Sequence, residues 1–165
     1  MIYYLIASIL IAVAALFART KRAVLAAGIL FYAVQIAAAG LLLWGGLYDT
    51  TSAAFFTFDA LGTLFYLLLV VVSMYVFGHS EAYLQGEDLR SYRLYFALLM
   101  LLTTAITGVY FARNIAVTWI FLEATTLCSA GIVYHRRTAQ ALEAAWKYVF
   151  VCSTGIAMAY LGILL

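Results

Sequence analysis

Apolar residues run along this chain in long unbroken blocks that are separated by short groups of polar and charged residues. A helix that is apolar on all sides is typical of a membrane span, whereas a surface helix of a soluble protein carries one apolar stripe. A bilayer core of about 30 Å requires about 20 helical residues. The pattern therefore predicts six transmembrane helices, over residues 1–17, 23–47, 59–77, 95–111, 115–134 and 139–165.

The segments between these blocks contain the signals that end and begin helices. Asp59 is the first residue of one apolar block, and Thr138 directly precedes another. At such positions a short oxygen-bearing side chain caps the free backbone N–H groups of a helix. Residues 49–52 are expected to form a short polar turn. The longest connection, residues 78–93, is rich in ionisable side chains and is expected to be an aqueous loop.

Composition supports the same fold class. The chain is 68% hydrophobic and 10% charged, whereas a soluble domain is about 45–50% apolar and about 25% charged. We therefore expect an all-α, polytopic transmembrane helix bundle that forms a single domain over residues 1–165. Cys128 and Cys152 lie inside predicted helices, without a CxxC spacing or nearby histidines, so neither a disulfide framework nor a metal site is predicted.

Basic residues predict the orientation in the membrane. The first, third and fifth connections hold 3, 2 and 2 Lys or Arg residues, whereas the second and fourth hold 0 and 1. Because cytoplasmic loops carry the excess of Lys and Arg, the odd connections are predicted to be cytoplasmic. This placement puts the N-terminus in the periplasm, with the chain in the inner membrane of the cell. It also explains the net charge of +2 without nucleic acid, which is not expected as a partner.

Two ionisable residues remain far from the predicted water interfaces, namely Glu123 in the fifth helix and Lys147 in the sixth. Each charge costs about 2.5–3.5 kcal/mol at a helix centre on insertion scales, so an offsetting interaction is expected. The two helices are antiparallel neighbours, and a contact between the side chains, direct or through water, is predicted. Such a pair can take up and release a proton when its surroundings change. The alternative is a static ion pair that only joins two helices.

Glu143 lies four residues before Lys147 and therefore on the same helix face. It offers the lysine a second carboxylate and is a candidate proton entry group, with a solvated boundary residue as the alternative. Ser153 and Thr154 follow the lysine and can hydrogen-bond to water or to a neighbouring helix. Three other ionisable residues are interpreted as interfacial anchors outside any proton path: His79, Arg113 and His135.

The last third of the chain carries a family resemblance. The segments WIFLEATTL, HRR and LEAAWKYVFVCS, which place Lys147 24 residues after Glu123, resemble the antiporter-like, proton-conducting membrane subunits of respiratory complex I and of membrane-bound nickel-iron hydrogenases. The earlier segment FTFDALGTLFYLLLVVVSMY is similar to the start of the third helix in those subunits. Among them, the chain most resembles the hydrogenase 4 component F.

The resemblance implies a function. Glu123 would match the family's glutamate that carries the proton, and Lys147 the lysine that modulates it. The subunit would work with other membrane subunits and with hydrophilic redox subunits, in contact with lipid and protons, and would bind no cofactor or metal itself. Those subunits have more helices than the six predicted here, so we expect an N-terminal fragment that cannot form a complete proton channel alone. Two alternatives stay open, a subunit of a multi-component sodium/proton antiporter and a non-transporting membrane scaffold.

Overall fold

A computed structural model describes residues 1–44 and 55–165. Within these residues the regular structure is entirely helical, which confirms the all-α fold class. One 3₁₀ turn, Tyr134–Arg136, accompanies six α-helices: α1 Ile2–Phe17, α2 Lys21–Leu43, α3 Ala60–Tyr83, α4 Leu89–Phe111, α5 Ile115–Val133 and α6 Ala139–Leu164. The last five, with the 3₁₀ turn added to α5, are long and apolar enough to cross a membrane, and α1 is a shorter apolar helix of 16 residues.

Both predicted helix caps are confirmed. The Asp59 carboxylate accepts a hydrogen bond from the Gly62 amide at 3.2 Å, and the Thr138 hydroxyl accepts one from the Ala141 amide at 3.1 Å. Thr20 caps α2 in the same way, so this helix begins at Lys21, two residues earlier than predicted. The predicted end of the second helix, beyond residue 44, and the turn at 49–52 lie outside the described residues.

The prediction of a loop over residues 78–93 is wrong for most of its length, whereas the aqueous location of this segment stays a prediction. Helix α3 continues to Tyr83 and α4 already begins at Leu89, so only five residues connect them. Ionisable side chains do not end a helix, because Glu and Arg have high helix propensity and the segment has no proline. The chain reverses at Gly86, whose φ of +122° is accessible to glycine at little cost.

The connections between helices gather at two opposite ends of the bundle. At one end, the backbone oxygen of Glu87 in the third connection accepts a hydrogen bond from Lys21 at 2.8 Å, and its carboxylate forms an ion pair with Arg136 at 3.2 Å. Arg93 donates to the backbone oxygen of Ala18 at 3.0 Å. The first, third and fifth connections therefore lie together, as the distribution of basic residues predicts, and we call this the odd-loop end.

At the opposite end, the second and fourth connections pair through their backbones. The Thr57 amide donates to Phe111 and the Arg113 amide donates to Phe55, both at 2.8 Å. We call this the even-loop end. Which of the two ends faces the cytoplasm stays a prediction.

Helix α4 lies at the centre of the bundle and α6 at its edge. Helix α4 packs against α1, α2, α3 and α5, and eleven of its residues are buried. Among the described elements α6 packs only against α5 and the 3₁₀ turn, and Ala145 is its single buried residue. Most of the α6 surface is therefore left uncovered by the described part of the chain.

Candidate functional site

Glu123 lies midway along α5, on the side that faces α6. Its carboxylate oxygen Oε2 accepts a hydrogen bond from the Ser153 hydroxyl of α6 at 2.8 Å. One turn earlier on α5, the ring of Trp119 packs against Tyr160 of α6, with ring centroids 5.5 Å apart. The side chain of Glu123 is half-buried between the two helices. A hydroxyl that donates to a carboxylate stabilises its charged form, so Ser153 provides part of the offsetting interaction that an intramembrane glutamate requires.

Lys147 makes its ion pair with Glu143, one turn earlier on the same helix. The Nζ–Oε1 distance is 2.5 Å, and the two side chains are 73% and 66% exposed. This contact confirms that Glu143 and Lys147 share a helix face. Glu123 and Lys147, both among the described residues, form no ion pair with each other, so the expected direct contact between them is not found.

The geometry of α6 explains this separation. The residues of α6 that face α5 include Ala145, Val149 and Ser153, each four positions after the one before. Lys147 is two positions after Ala145 and two positions before Val149. Because each position turns a helix by about 100°, Lys147 lies on the opposite side of α6 from these two residues. It also lies six residues from Ser153, or about 9 Å along the helix axis, toward the odd-loop end. The sequence does not determine which face of α6 packs against α5, or which residue of α6 lies level with Glu123.

Polar atoms line part of the surface beside this contact. An open groove of about 500 Å³ runs along α6 and contains Ser153 and Thr154 between apolar side chains, with Trp146 and Phe150 at one end and Met158 at the other. The groove reaches the residue that holds Glu123. Ser153 therefore belongs both to the groove and to the hydrogen bond with Glu123.

His135 departs from its interpretation as an interfacial anchor. It lies at the odd-loop end in the 3₁₀ turn, but its side chain is buried, with 6% exposure, against the rings of Tyr83 and Tyr95. Its Nδ1 atom is 2.7 Å from the Ile132 backbone oxygen. The turn after α5 folds back onto α3 and α4, which periodicity in α5 alone does not reveal.

Metal ligands do not cluster in the described part of the chain. Among residues 1–44 and 55–165, no group of three or more His, Cys, Asp or Glu side chains is arranged to hold a metal ion. Cys128 and Cys152 are both free thiols.

Cysteine cross-linking tests the arrangement of the candidate residues. In the full chain with Cys128 and Cys152 replaced by alanine, we expect Glu123→Cys with Ser153→Cys to be joined by a short bifunctional thiol reagent. The matched pair Glu123→Cys with Lys147→Cys is expected to remain unjoined, because position 147 faces away from α5. Mass spectrometry of the cross-linked peptide measures both yields. A higher yield for the 123/147 pair would contradict the packing described here.

The helices and their connections define a class of protein. The described ranges contain five helices that can each cross a membrane, connections grouped at two ends and a glutamate held between two helices, which are the features of a polytopic helical membrane protein. The chain is similar to a protein named hydrogenase-4 component F homolog from Methylacidiphilum infernorum (isolate V4), with 32% identity over 119 residues. The match covers 66% of this chain and 24% of the relative, so the chain spans about a quarter of the curated relative's length. No family model matches the chain, and no solved structure matches it with significance.

Proposed function

We propose that this chain belongs to a proton-translocating membrane subunit of a hydrogenase 4-like or complex I-like assembly. The observation that carries the proposal is an intramembrane glutamate, Glu123, held by Ser153 in a chain that resembles a protein named as a hydrogenase-4 component. In this proposal Glu123 takes up and releases the proton. Partner subunits carry out the redox chemistry, because the candidate site consists of a carboxylate and a hydroxyl.

Ser153 gives the carboxylate one strong hydrogen bond and leaves its other oxygen available. The Ser153 bond is made by Oε2, and no hydrogen bond to Oε1 is found among the described side chains. An ionised carboxylate accepts several hydrogen bonds, so a water molecule or a group of a partner helix can bond to the second oxygen. Proton transfer needs such a partner, since a carboxylate can exchange a proton only with a group within hydrogen-bond reach.

Glu143 and Lys147 have a supporting part in the proposal. Glu143 compensates the charge of Lys147 in the conformation described, so the lysine's field at Glu123 is partly cancelled. A rearrangement that opens this pair and also turns Lys147 toward α5 would bring a cation near the carboxylate, and a nearby cation favours the ionised form of a carboxyl group. Lys147 is therefore proposed as the modulator of Glu123 and Glu143 as the carboxylate that holds the modulator.

The exposure of this ion pair supports a larger assembly. A charged pair on a lipid-facing surface is costly, and intramembrane charges almost always face the interior of a bundle or a water-filled cavity. Glu143 and Lys147 are on the uncovered face of α6. We infer that other membrane helices or water cover this face, as expected for a subunit that works with others.

Purification of the full-length protein with its partners tests the function. We expect the complex to contain iron, with nickel as well if it is hydrogenase 4-like, and to acidify or alkalinise vesicles only during redox turnover. Metal analysis and a pH-sensitive dye measure the two properties. A complex without nickel that exchanges sodium for protons without redox turnover would instead identify the antiporter alternative. A complex that moves no ions would identify the scaffold.

A further inference from the structure

A second groove lies between α5 and α6, and we call it the α5–α6 groove. It is open, has a volume of about 280 Å³ and is lined almost entirely by apolar atoms. Two small residues that line it, Ala130 of α5 and Ala145 of α6, are buried, whereas the larger side chains beside them are exposed. These larger side chains are Leu127, Leu142 and Trp146. The groove therefore has a floor of small residues and walls of large apolar ones.

The connection between α5 and α6 lies at one end of this groove. Tyr134, which lines the α5 side, accepts a hydrogen bond at its backbone oxygen from the Arg137 amide at 2.9 Å. Leu142, which lines the α6 side, donates its amide to the Thr138 backbone oxygen, also at 2.9 Å. Arg137 and Thr138 therefore join the two sides of the groove at the odd-loop end.

Arg137 places an uncompensated positive charge at this end of the groove. Its side chain is exposed and forms no ion pair among residues 1–44 and 55–165. The neighbouring Arg136 differs, because it forms an ion pair with Glu87 at 3.2 Å. The first turn of α6 adds partial positive charge, since the backbone N–H groups at the start of a helix point outward along its axis. An anionic group beside Arg137 is therefore favoured.

The length of the groove is suitable for an acyl chain. Leu142 and Val149 both line it and are seven residues apart, or about 10 Å along α6. Half of a bilayer core of about 30 Å is about 15 Å, so the groove lies within one leaflet when Arg137 is at the membrane surface. Trp146 and Val149 also line the groove that contains Ser153, so a longer chain can continue along α6.

We propose that the α5–α6 groove binds an anionic phospholipid, with one acyl chain along Ala130 and Ala145 and the phosphate at Arg137. An arginine donates two parallel hydrogen bonds to a phosphate, and basic pockets between the ends of transmembrane helices bind the head groups of anionic lipids. A phospholipid carries an apolar chain and a negative charge in one molecule, which is the combination that the groove and its basic end require. The site lies on a different face of α6 from Lys147 and is independent of the function proposed above.

Photoactivatable phospholipids test this site. The full-length protein with its partners is reconstituted into phosphatidylcholine vesicles that contain a trace of one probe, either phosphatidylglycerol or phosphatidylcholine. Both probes carry the same diazirine-bearing acyl chain, and mass spectrometry locates the label. We expect the phosphatidylglycerol probe to label residues 127–134 and 142–149 several-fold more than the phosphatidylcholine probe, whereas the two probes label other lipid-exposed residues equally.

Two results in the unmodified protein would overturn the proposal. If neither probe labels the groove, a protein segment fills it. If both probes label the groove equally, bulk lipid occupies it without recognition of the head group.

Arg137→Asn tests the contact with the phosphate. Arg137 has a φ of +54°, a left-handed conformation that asparagine adopts more readily than most residues, so the turn should be kept. The preference for phosphatidylglycerol in the groove is expected to disappear. Arg22→Gln is the matched control, because it removes an exposed arginine of the odd-loop end that does not line the groove, and the preference should remain.

A preference that survives Arg137→Asn, or that is lost equally in Arg22→Gln, would mean that Arg137 does not hold the phosphate and that the site assignment is wrong. Loss of groove label with both probes identifies a variant that has not folded, and the comparison of the two probes in the unmodified protein then decides.

Discussion

Replacement of Glu123 by glutamine is expected to uncouple proton translocation from redox turnover in the full complex. Glutamine keeps the size of the side chain and can still accept the Ser153 hydrogen bond at its amide oxygen, but it cannot bind or release a proton. A positioned proton-transfer group contributes about a hundredfold or more to rate, so the rate of proton movement should fall by about that factor. A pH-sensitive dye in sealed vesicles measures proton movement, and hydrogen turnover is measured in the same vesicles.

Two further variants separate a proton-carrying role from a structural one. Glu123→Asp keeps a titratable group but shortens it by one methylene, so translocation should be reduced but not lost. Glu81→Gln removes an exposed carboxylate of α3 that has no part in the proposed path, and translocation should remain unchanged. If Glu123→Gln assembles normally and still translocates protons, Glu123 is not the proton carrier.

Gly108→Ala is expected to destabilise the contact between α4 and α5. A β-carbon at Gly108 would overlap the ring of Phe121, and three ring atoms occupy that space. Phe121 also packs against the ring of Phe56, at a centroid distance of 6.1 Å, so it cannot move without disturbing a second contact. Overpacking of this kind costs typically about 1–3 kcal/mol. Thermal unfolding of the purified protein, followed by tryptophan fluorescence, should show a lower midpoint.

Gly40→Ala is the matched control for this prediction. Gly40 is also inside a long apolar helix, but a β-carbon there meets no atom of residues 1–44 or 55–165 within 4 Å. Alanine has a higher helix propensity than glycine by about 0.8–1.0 kcal/mol, so this variant should be as stable as the original or slightly more stable. Equal effects at both positions would mean that the close approach of α4 and α5 at Gly108 does not determine stability.

Local features of the fold were predictable from the sequence. The apolar blocks identify the helices because the length of a membrane span is set by the bilayer, and the caps at Asp59 and Thr138 follow from short oxygen-bearing side chains before an apolar run. The contact between Glu143 and Lys147 was also predictable, since residues four apart share a helix face. Each of these features depends on neighbours in the chain.

The connection over residues 78–93 shows the limit of that reasoning. Ionisable residues were expected to indicate a loop, but a helix can extend beyond the apolar layer when its polar end packs on other helices. The Ser80 hydroxyl of α3 is 3.2 Å from the Tyr95 hydroxyl of α4, and the ring of Tyr95 packs against His135 of the 3₁₀ turn. Hydropathy indicates where the apolar part of a helix ends, and these helices continue beyond that point.

Some features of the candidate site are likewise determined by local sequence, and others are determined by packing between helices. The sequence alone determines that an all-α membrane bundle carries a glutamate and a lysine far from its charged ends, because 3.6-residue periodicity and bilayer thickness act on local sequence. Only the tertiary structure decides that α6 turns Ser153 toward Glu123 and Lys147 away from it, and that Gln35 meets two tyrosines from other helices. The physical reason is that a helix can rotate and slide against its neighbour without any change in its own hydrogen bonds, so packing between helices selects one arrangement.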